Sequence, residues 1–271
     1  MRISFIGLGH LNSAIVAGLL AEGYDPENLI ATTHSEASAA SRREAFGISV
    51  TAEQNNPGAN AQAVADADIV VLGVKPFHIV ETAQGLADAL RSDTVVVSVA
   101  AGTTLATLTS VLPEGQPVVR TMPNVALTVG KGVVGLARGT TVTDAQVTQV
   151  EQLFAASGTV FQLSEDQLNA LGALAGSGPG YVFRFVNALA AAGVELGLED
   201  QVAQELARLT VVGAGAMLDH HDADPSALED SIATEGGTTQ AALNSMDANG
   251  FNDLIIKALQ ANVARSEELG A

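Results

Sequence analysis

Over the first 163 residues, short apolar segments rich in β-branched side chains alternate with segments of helical periodicity. Seven of the short segments are predicted to be strands: Arg2–Ile6, Leu29–Thr33, Ile69–Val74, Thr94–Val99, Pro117–Met122, Val133–Ala137 and Thr159–Leu163. Several are apolar without alternation, which is typical of strands covered on both faces. The alternation therefore predicts a mainly parallel α/β sheet.

The sequence changes character near Ser164, after which only helical patterns follow. Ser164 and Gln167 have the spacing of a capping box, Pro179 suits the first turn of the next helix, and Gly250 suits a helix end. We therefore predict two domains, an α/β domain over residues 1–163 and an all-α domain over residues 164–271.

The apolar stretches Leu206–Leu218 and Leu254–Val263 are too long for one chain's helices to cover, which predicts a two-fold partner.

Composition excludes several classes of function. Twelve Lys and Arg against 30 Asp and Glu give a net charge of −18, which argues against binding to nucleic acid or to an anionic membrane surface. There is no cysteine, and none of the five histidines has metal-ligand spacing, so no metal is expected. No apolar run reaches the roughly 20 residues that span a bilayer, and the cytoplasm is the expected location.

The segment Gly7-Leu8-Gly9 directly follows the first predicted strand and opens the first helix. A backbone without side chains can approach a pyrophosphate there, and the helix N-terminus offers free N–H groups. The last position of the usual G-x-G-x-x-G pattern is Asn12. This context predicts a nucleotide site, and the alternative is a tight glycine turn in an ordinary α/β protein.

The end of the second strand bears on the type of nucleotide. An NAD site usually has an acidic residue there for the ribose hydroxyls, whereas this chain has Thr33-His34-Ser35, with Arg42 and Arg43 further along. Without an acid, hydroxyls and a nearby cation favour the 2′-phosphate of NADP. The alternative is a capped turn followed by arginines on a solvated helix face.

Three further strand ends are expected at the same edge of the sheet, because ligands bind beyond the carboxyl ends of parallel strands. They are Val74-Lys75-Pro76, Ala100-Ala101-Gly102 and the segment that ends at Asn124. For Lys75 taken alone, a surface lysine at a turn is the favoured interpretation. In the helical half, Gly236-Gly237-Thr238-Thr239 suits an anion nest for a carboxylate, or a plain helix start with a threonine cap.

Several segments, in this order, resemble the pyrroline-5-carboxylate reductase family from end to end. They are Phe5–Leu11, Val74–Pro76, Val99–Gly102, Val119–Asn124, Gly176–Phe183, Ala192–Leu198, Gly236–Leu243 and Arg265–Leu269. The resemblance implies a Rossmann-like N-terminal domain and an all-α C-terminal dimerisation domain, which forms a dimer or a larger homo-oligomer. It also implies a reaction, the NAD(P)H-dependent reduction of Δ1-pyrroline-5-carboxylate to L-proline, with NADPH expected over NADH.

The resemblance also implies residue roles. Thr239 is the expected catalytic residue, and the expected substrate-binding residues are Glu165, Thr234, Gly236, Gly237 and Thr238. The expected cofactor-binding residues are Gly7, Leu8, Gly9, His10, Leu11, Thr33, His34, Ser35, Asn55, Val74, Lys75, Pro76, Ala100, Ala101, Gly102 and Asn124.

Three departures from the family pattern keep alternatives open. Thr33-His34-Ser35 stands where the family usually has Asn-Arg-Ser or Asn-Arg-Thr, and Glu235 stands where it has proline. Asn169 stands where the family usually has aspartate, and Asn187 where it has an acidic residue. The alternatives are a reductase of another cyclic imine carboxylate and a non-catalytic member that binds NADP.

Overall fold

The computed structural model describes residues 1–221 and 224–270 and divides into two compact units. The first unit comprises Met1–Gly176 together with the chain from Asn262 onward, and the second comprises Ser177–Ala261. This division falls thirteen residues after the predicted boundary between residues 163 and 164. Within the described residues, no helix combines the length and the apolar composition that crossing a membrane requires.

The first unit contains one eight-stranded sheet in the order β3-β2-β1-β4-β5-β6-β7-β8. Its strands are β1 (Ile3–Ile6), β2 (Leu29–Thr33), β3 (Ser49–Ala52), β4 (Ile69–Leu72), β5 (Val95–Ser98), β6 (Val118–Pro123), β7 (Gly132–Arg138) and β8 (Gly158–Gln162). Only the β6–β7 pair is antiparallel. The first six strands have the order of the Rossmann fold, so the predicted parallel α/β architecture is confirmed.

Helices cover both faces of this sheet. They are α1 (His10–Ala21), α2 (Glu36–Phe46), α3 (Ala59–Val64), α4 (Ile79–Leu86), α5 (Leu105–Val111), α6 (Asp144–Phe154) and α7 (Gln167–Leu171). Phe5 of β1 lies in a core with residues of α1 and α6, whereas the next residue, Ile6, lies in a second core with residues of α3, α4 and α5. Because successive side chains point to opposite faces, burial on both faces explains why the strands are continuously apolar.

All seven predicted strands are present, with ends that differ by at most two residues, but the sequence analysis missed β3. This strand has only four residues, two of them Ser49 and Thr51, and it pairs only with β2 at the edge of the sheet. An edge strand needs little apolar burial, so it lacks the pattern by which its neighbours are recognised.

Of the two hydrogen bonds in the predicted capping box at Ser164, the one accepted by the Gln167 side chain is present and the one accepted by the Ser164 hydroxyl is absent. The Gln167 side chain accepts from the backbone N–H of Ser164 at 3.1 Å and from its hydroxyl at 3.0 Å. However, the Gln167 N–H donates to the Ser164 carbonyl oxygen rather than to the hydroxyl, at 3.1 Å. Residues 164–166 therefore form a turn, and α7 begins only at Gln167.

The remaining helices are α8 (Gly178–Glu195), α9 (Asp200–His221), α10 (Pro225–Ile232), α11 (Thr238–Ala248) and α12 (Phe251–Gly270). Pro179 lies in the first turn of α8, as predicted. Small residues let α8 and α9 approach closely, since a Cβ on Gly193 would lie 3.2 Å from the Cβ of Ala203. Gly250 separates α11 from α12 with φ +73°, which confirms the predicted stop.

Candidate active site

The carboxyl ends of five parallel strands bring most of the predicted cofactor residues to one edge of the sheet in the first unit. Strands β2, β1, β4, β5 and β6 lie side by side in parallel. The chain leaves β1 toward β2 on one side and leaves β4 toward β5 on the other. The β1–β4 pair is therefore a topological switch point, which is where open α/β sheets bind ligands.

Gly7 forms the tight turn at this switch point. Its φ is +85°, and a Cβ there would lie 3.0 Å from Cγ1 of Val74 in the loop after β4. The turn is held by a hydrogen bond from the Leu8 N–H to the Thr32 carbonyl oxygen at 2.9 Å. Both the positive φ and the close approach of the second loop require glycine.

Gly9 leaves the start of α1 open. A Cβ on Gly9 would meet nothing within 4 Å, and this residue begins α1 without a side-chain cap. The first turn of a helix has N–H groups without intrahelical partners, and no acidic residue lies in the first turn of α1. Leu8 is buried, Leu11 is partly buried and His10 is exposed. This start of α1 fits a dinucleotide.

Asn12 fills the position where the third glycine of the motif would stand. Its side chain is 1% exposed, and its Nδ2 donates to the Gly7 carbonyl oxygen at 2.9 Å. A Cβ on Gly73 would lie 2.6 Å from the Asn12 Cγ, so Gly73 supplies the space that the motif lacks. In the sequence, Asn12 stands only as a departure from the motif, and the glycine directly after β4 is the signal for this contact.

The end of β2 forms a helix cap. The Thr33 hydroxyl donates to the Ser35 carbonyl oxygen at 3.1 Å, and the Ser35 hydroxyl accepts from the Ser38 N–H at 3.3 Å, which caps α2. His34 is exposed. This geometry is the capped turn considered above, and the predicted contacts of these residues with a cofactor stay a prediction.

Beside this turn lies an acidic residue that the sequence analysis did not consider. The Glu36 carboxylate accepts hydrogen bonds from the Arg43 guanidinium and from Nδ2 of Asn55, the latter at 3.0 Å. A second nitrogen of Arg43, Nη1, donates to the Val50 carbonyl oxygen at 2.6 Å. These contacts, which we call the Glu36 cluster, correct the expectation that no acid lies near the end of β2. The signal was an acidic residue in the first turn of α2.

The loops after β4 and β5 have less distinctive geometry. Lys75 and Pro76 are exposed at the start of a single 3₁₀ turn, Pro76–His78. Gly102 has φ +81°, and the Ala100 N–H donates to the Ser98 hydroxyl oxygen at 3.3 Å. Ala101 is exposed. These loops lie at the predicted edge of the sheet.

Asn124 has its polar atoms engaged with the backbone. Its Nδ2 donates to the Ala175 carbonyl oxygen at 3.0 Å. Its Oδ1 accepts from the N–H groups of Ala126 at 3.2 Å and Val133 at 3.1 Å. The side chain thus ties the end of β6 to the π-helical turn at residues 172–176, and a contact with the cofactor stays a prediction.

Glu165 lies in the first unit, paired with a buried arginine. Its Oε1 accepts from Arg120 Nη1 at 3.0 Å and from the Leu105 N–H at the start of α5 at 2.7 Å. The exposed fractions of the side chains are 7% for Arg120 and 29% for Glu165. A buried guanidinium needs such a partner, so an arginine within the apolar strand β6 was the signal for this pair. A contact of Glu165 with substrate stays a prediction.

In the second unit, Thr234, Glu235, Gly236 and Gly237 form a turn that leads into α11. The Gly237 N–H donates to the Thr234 carbonyl oxygen at 2.9 Å, and Gly236 has φ +73°, as the third residue of a type II turn does. Glu235, at the second position, is exposed. The Gly237 N–H is engaged within this turn, and the expected substrate contacts of Thr234, Gly236 and Gly237 stay a prediction. The N–H groups of Thr238 and Thr239, in the first turn of α11, are further donors at this loop.

Position 237 requires glycine because of close packing against Thr234 rather than because of its φ angle. A Cβ there would lie 2.7 Å from the Thr234 hydroxyl oxygen. Thr238 and Thr239 are exposed. Within residues 1–221 and 224–270, the structure records no hydrogen bond of either hydroxyl. The same part of the chain holds no group of three His, Asp or Glu side chains that could hold a metal ion.

Known proteins match the chain along its whole length. Residues 165–269 match the family described as pyrroline-5-carboxylate reductase dimerisation, and residues 2–102 match NADP oxidoreductase, coenzyme F420-dependent. A pyrroline-5-carboxylate reductase from Corynebacterium melassecola is 37% identical over 271 residues, covering 99% of this chain and 98% of the relative. One from Pseudomonas aeruginosa is 38% identical over 269 residues, covering 99% and 96%. This chain belongs to the pyrroline-5-carboxylate reductase family.

Solved reductases of this family have the same fold. A pyrroline-5-carboxylate reductase from Coxiella burnetii superposes with a TM-score of 0.93 at 35% identity, covering 100% of this chain and 98% of its own. The Plasmodium falciparum pyrroline carboxylate reductase, solved with NADP bound, has a TM-score of 0.83 at 25% identity, with coverage of 100% and 98%. The Rossmann-like domain and the helical region of the reductase fold are therefore confirmed for this chain.

Proposed function

We propose that this reductase converts Δ1-pyrroline-5-carboxylate to L-proline, with NADPH as the preferred donor. The observation that carries the proposal is the match to reductases of that name over 99% of the chain at 37–38% identity. The start of α1 at the switch point supports a dinucleotide site. The start of α11 supports a site for a small carboxylate.

The reaction adds a hydride and a proton, in total two electrons and two protons, to a carbon–nitrogen double bond. A bound nicotinamide cofactor supplies the hydride, which forms a new bond to the imine carbon while the π pair becomes the nitrogen lone pair. A protonated imine is already electrophilic, so positioning and electrostatics suffice for most of the rate. The chain needs no strong acid of its own.

The first turn of α11 has the groups for this positioning. The N–H groups of Thr238 and Thr239 bind the substrate carboxylate, aided by the positive end of the helix dipole. The Thr239 hydroxyl orients the imine nitrogen and donates a hydrogen bond to it as its positive charge is lost. Threonine is too weak an acid to be the source of the proton, which comes from water or from the protonated imine.

Three observations support NADPH over NADH. At the end of β2, positions 33 and 35 carry the hydroxyl side chains of Thr33 and Ser35 rather than acidic ones. Residues 2–102 match an NADP oxidoreductase family, and a relative was solved with NADP. The Glu36 cluster acts against this preference and limits its size.

Turnover measured with both donors tests the proposal. We expect reduction of pyrroline-5-carboxylate, with a higher kcat/KM for NADPH than for NADH. A preference for NADH of about tenfold, or about 1.4 kcal/mol, would contradict the cofactor assignment. Absence of turnover with either donor would instead favour a non-catalytic member that binds NADP.

The exposed Glu235 favours one second candidate, a reductase of another cyclic imine carboxylate. A panel of imines that differ in ring size and carboxylate position separates the two reactions, since the true substrate gives the highest kcat/KM. Glu235→Pro restores the family's residue at the second position of the turn, where proline is favoured. If this variant turns over pyrroline-5-carboxylate faster than the parent chain does, the second candidate gains support.

Two further statements stay proposals. We infer that residues 164–271 form one functional domain beginning at the end of the sheet, which agrees with the dimerisation match at residues 165–269. We also infer that the enzyme acts in the cytoplasm.

A further inference from the structure

We propose that Glu36 sets how strongly this enzyme discriminates NADPH from NADH, because it holds Arg43 and Asn55 away from a 2′-phosphate. The inference rests on the cofactor site of the proposed function and names a specificity residue within it. Glu36 follows Ser35 directly in the first turn of α2, so it lies where the end of β2 meets the ribose in a site of this kind.

The contacts of Glu36 engage the groups that a 2′-phosphate would use. Its two carboxylate oxygens are divided between them, with Oε1 accepting from Arg43 and Oε2 from Asn55. Arg43 is one of the two arginines that the sequence suggests as a cation for the phosphate, and Asn55 is a predicted cofactor residue. Both are therefore engaged by one carboxylate.

The charge at the ribose 2′ position determines whether a nucleotide competes with Glu36 for these donors. A 2′-phosphate carries a charge of about −1.5 to −2 at pH 7 and has acceptor oxygens, so it competes with Glu36 for the same donors. A ribose 2′-hydroxyl is neutral and can donate to a carboxylate, so NADH meets no such competition. The Glu36 side chain is 45% exposed, and solvent therefore reduces the repulsion without removing it.

Arg43 is prepared for a phosphate once Glu36 is neutralised. Its Nη1 is anchored to the Val50 carbonyl oxygen in β3, whereas the nitrogen bound to Glu36 is Nη2. Removal of the carboxylate charge frees Nη2 while the Val50 contact keeps the guanidinium at the edge of the sheet. The gain in phosphate binding therefore depends on Arg43.

Two cofactor fragments test this without catalysis. Calorimetry measures the binding of 2′,5′-ADP and of 5′-AMP to the full-length enzyme and to Glu36→Gln. We expect Glu36→Gln to tighten 2′,5′-ADP binding about tenfold and to change 5′-AMP binding less than twofold. Glu44→Gln, an equal change of charge at an exposed position of the same helix, is expected to change both less than twofold.

A double variant locates the effect. Arg43→Gln in the Glu36→Gln background is expected to abolish most of the gain, and the melting temperature of each variant confirms that it is folded. Equal tightening of both fragments, the same gain in Glu44→Gln, or a gain that survives the loss of Arg43 would each overturn the proposal. Weaker 5′-AMP binding without a gain for 2′,5′-ADP would also overturn it, since Glu36 would then bind the ribose hydroxyls.

The outcomes distinguish this proposal from the proposed function. If the fragments bind as expected but pyrroline-5-carboxylate is not reduced, only the proposed reaction fails. If turnover is found and the fragment ratio is unchanged in Glu36→Gln, only the role of Glu36 fails. If the parent enzyme binds neither fragment, the cofactor site fails, and with it the role of Glu36.

Discussion

At the residue scale, Thr239 tests the proposed chemistry directly. Thr239→Ala is expected to lower kcat about ten- to a hundredfold with a smaller change in cofactor KM, because one hydrogen bond to the reacting nitrogen contributes a few kcal/mol at most. Thr238→Ala is expected to change substrate KM more than kcat. Steady-state kinetics of both variants with both substrates varied measure these effects.

The melting temperature of the same Thr239→Ala preparation is the control. The alternative role of Thr239 is a purely structural one at the start of α11. A lower melting temperature with an unchanged kcat would support that role and would contradict the catalytic one. Lost rate with retained stability is the expected pattern.

A second prediction at this scale concerns the contact between Asn12 and Gly73. Gly73→Ala is expected to destabilise the fold by about 1–3 kcal/mol, because its Cβ would overlap the buried Asn12 side chain. In the double variant with Asn12→Ala the overlap is gone, so its destabilisation should be smaller than the sum of the single effects by about 1 kcal/mol or more. Urea unfolding at a fixed protein concentration measures this, and strict additivity would contradict the contact.

At the scale of elements, Asp68 joins the beginnings of three strands. Its carboxylate accepts from the Arg2 N–H before β1 at 2.7 Å and from the Arg91 guanidinium before β5 at 2.7 Å. Burial by itself raises the pKa of Asp68, but these hydrogen bonds outweigh it, and the pKa lies below its ordinary value. Asp68→Asn is expected to cost about 0.5–1 kcal/mol at pH 7, since the pair is partly exposed.

The pH dependence of this loss has a definite sign. Because the pKa of Asp68 is lower in the folded state, the stabilisation is present above the unfolded value of about 3.9 and is lost as pH falls through the folded pKa. The difference between the parent chain and Asp68→Asn should therefore be full at pH 6–7 and shrink below about pH 4. Urea unfolding across this range checks it, with Asp66→Asn in the same loop as the control. A difference that is constant with pH would contradict the assignment.

At the scale of the whole molecule, the second unit exposes large apolar side chains on most of its helices and in the turn after α8. Examples are Phe183, Leu196, Val212, Leu254 and Ile256, of which Leu196 is 86% exposed. Together with the dimerisation match, this predicts an obligate dimer or a multiple of it. Light scattering at micromolar concentration should find no 27.5 kDa monomer, and a monodisperse monomer would contradict the prediction.

Charge placed on this surface should weaken the assembly. Leu254→Asp and Ile256→Asp each introduce a charge at a position exposed in the single chain, so only burial against a partner makes them costly. We expect both to shift the oligomer toward monomer. Gln149→Asp, at an exposed position of α6, should leave the mass unchanged.

Seven of the eight strands, the helical half and the glycine turn at Gly7 were predictable from the sequence alone. These features follow from local chemistry, since strands buried on both faces are continuously apolar and a turn with φ near +85° requires glycine. The helix end at Gly250 and the helix start at Pro179 were also predictable, because both depend on local chemistry. The order of the motifs along the chain, rather than any single motif, identified the family.

Contacts between side chains that are distant in the sequence became visible only in the folded chain. Glu36 contacts Asn55 from 19 positions away, Glu165 contacts Arg120 from 45 positions away, and Gly73 makes room for Asn12. The edge strand β3 exists because β2 offers it hydrogen bonds rather than because its own residues demand burial. Such contacts depend on the path of the whole chain, and a local sequence pattern carries no record of that path.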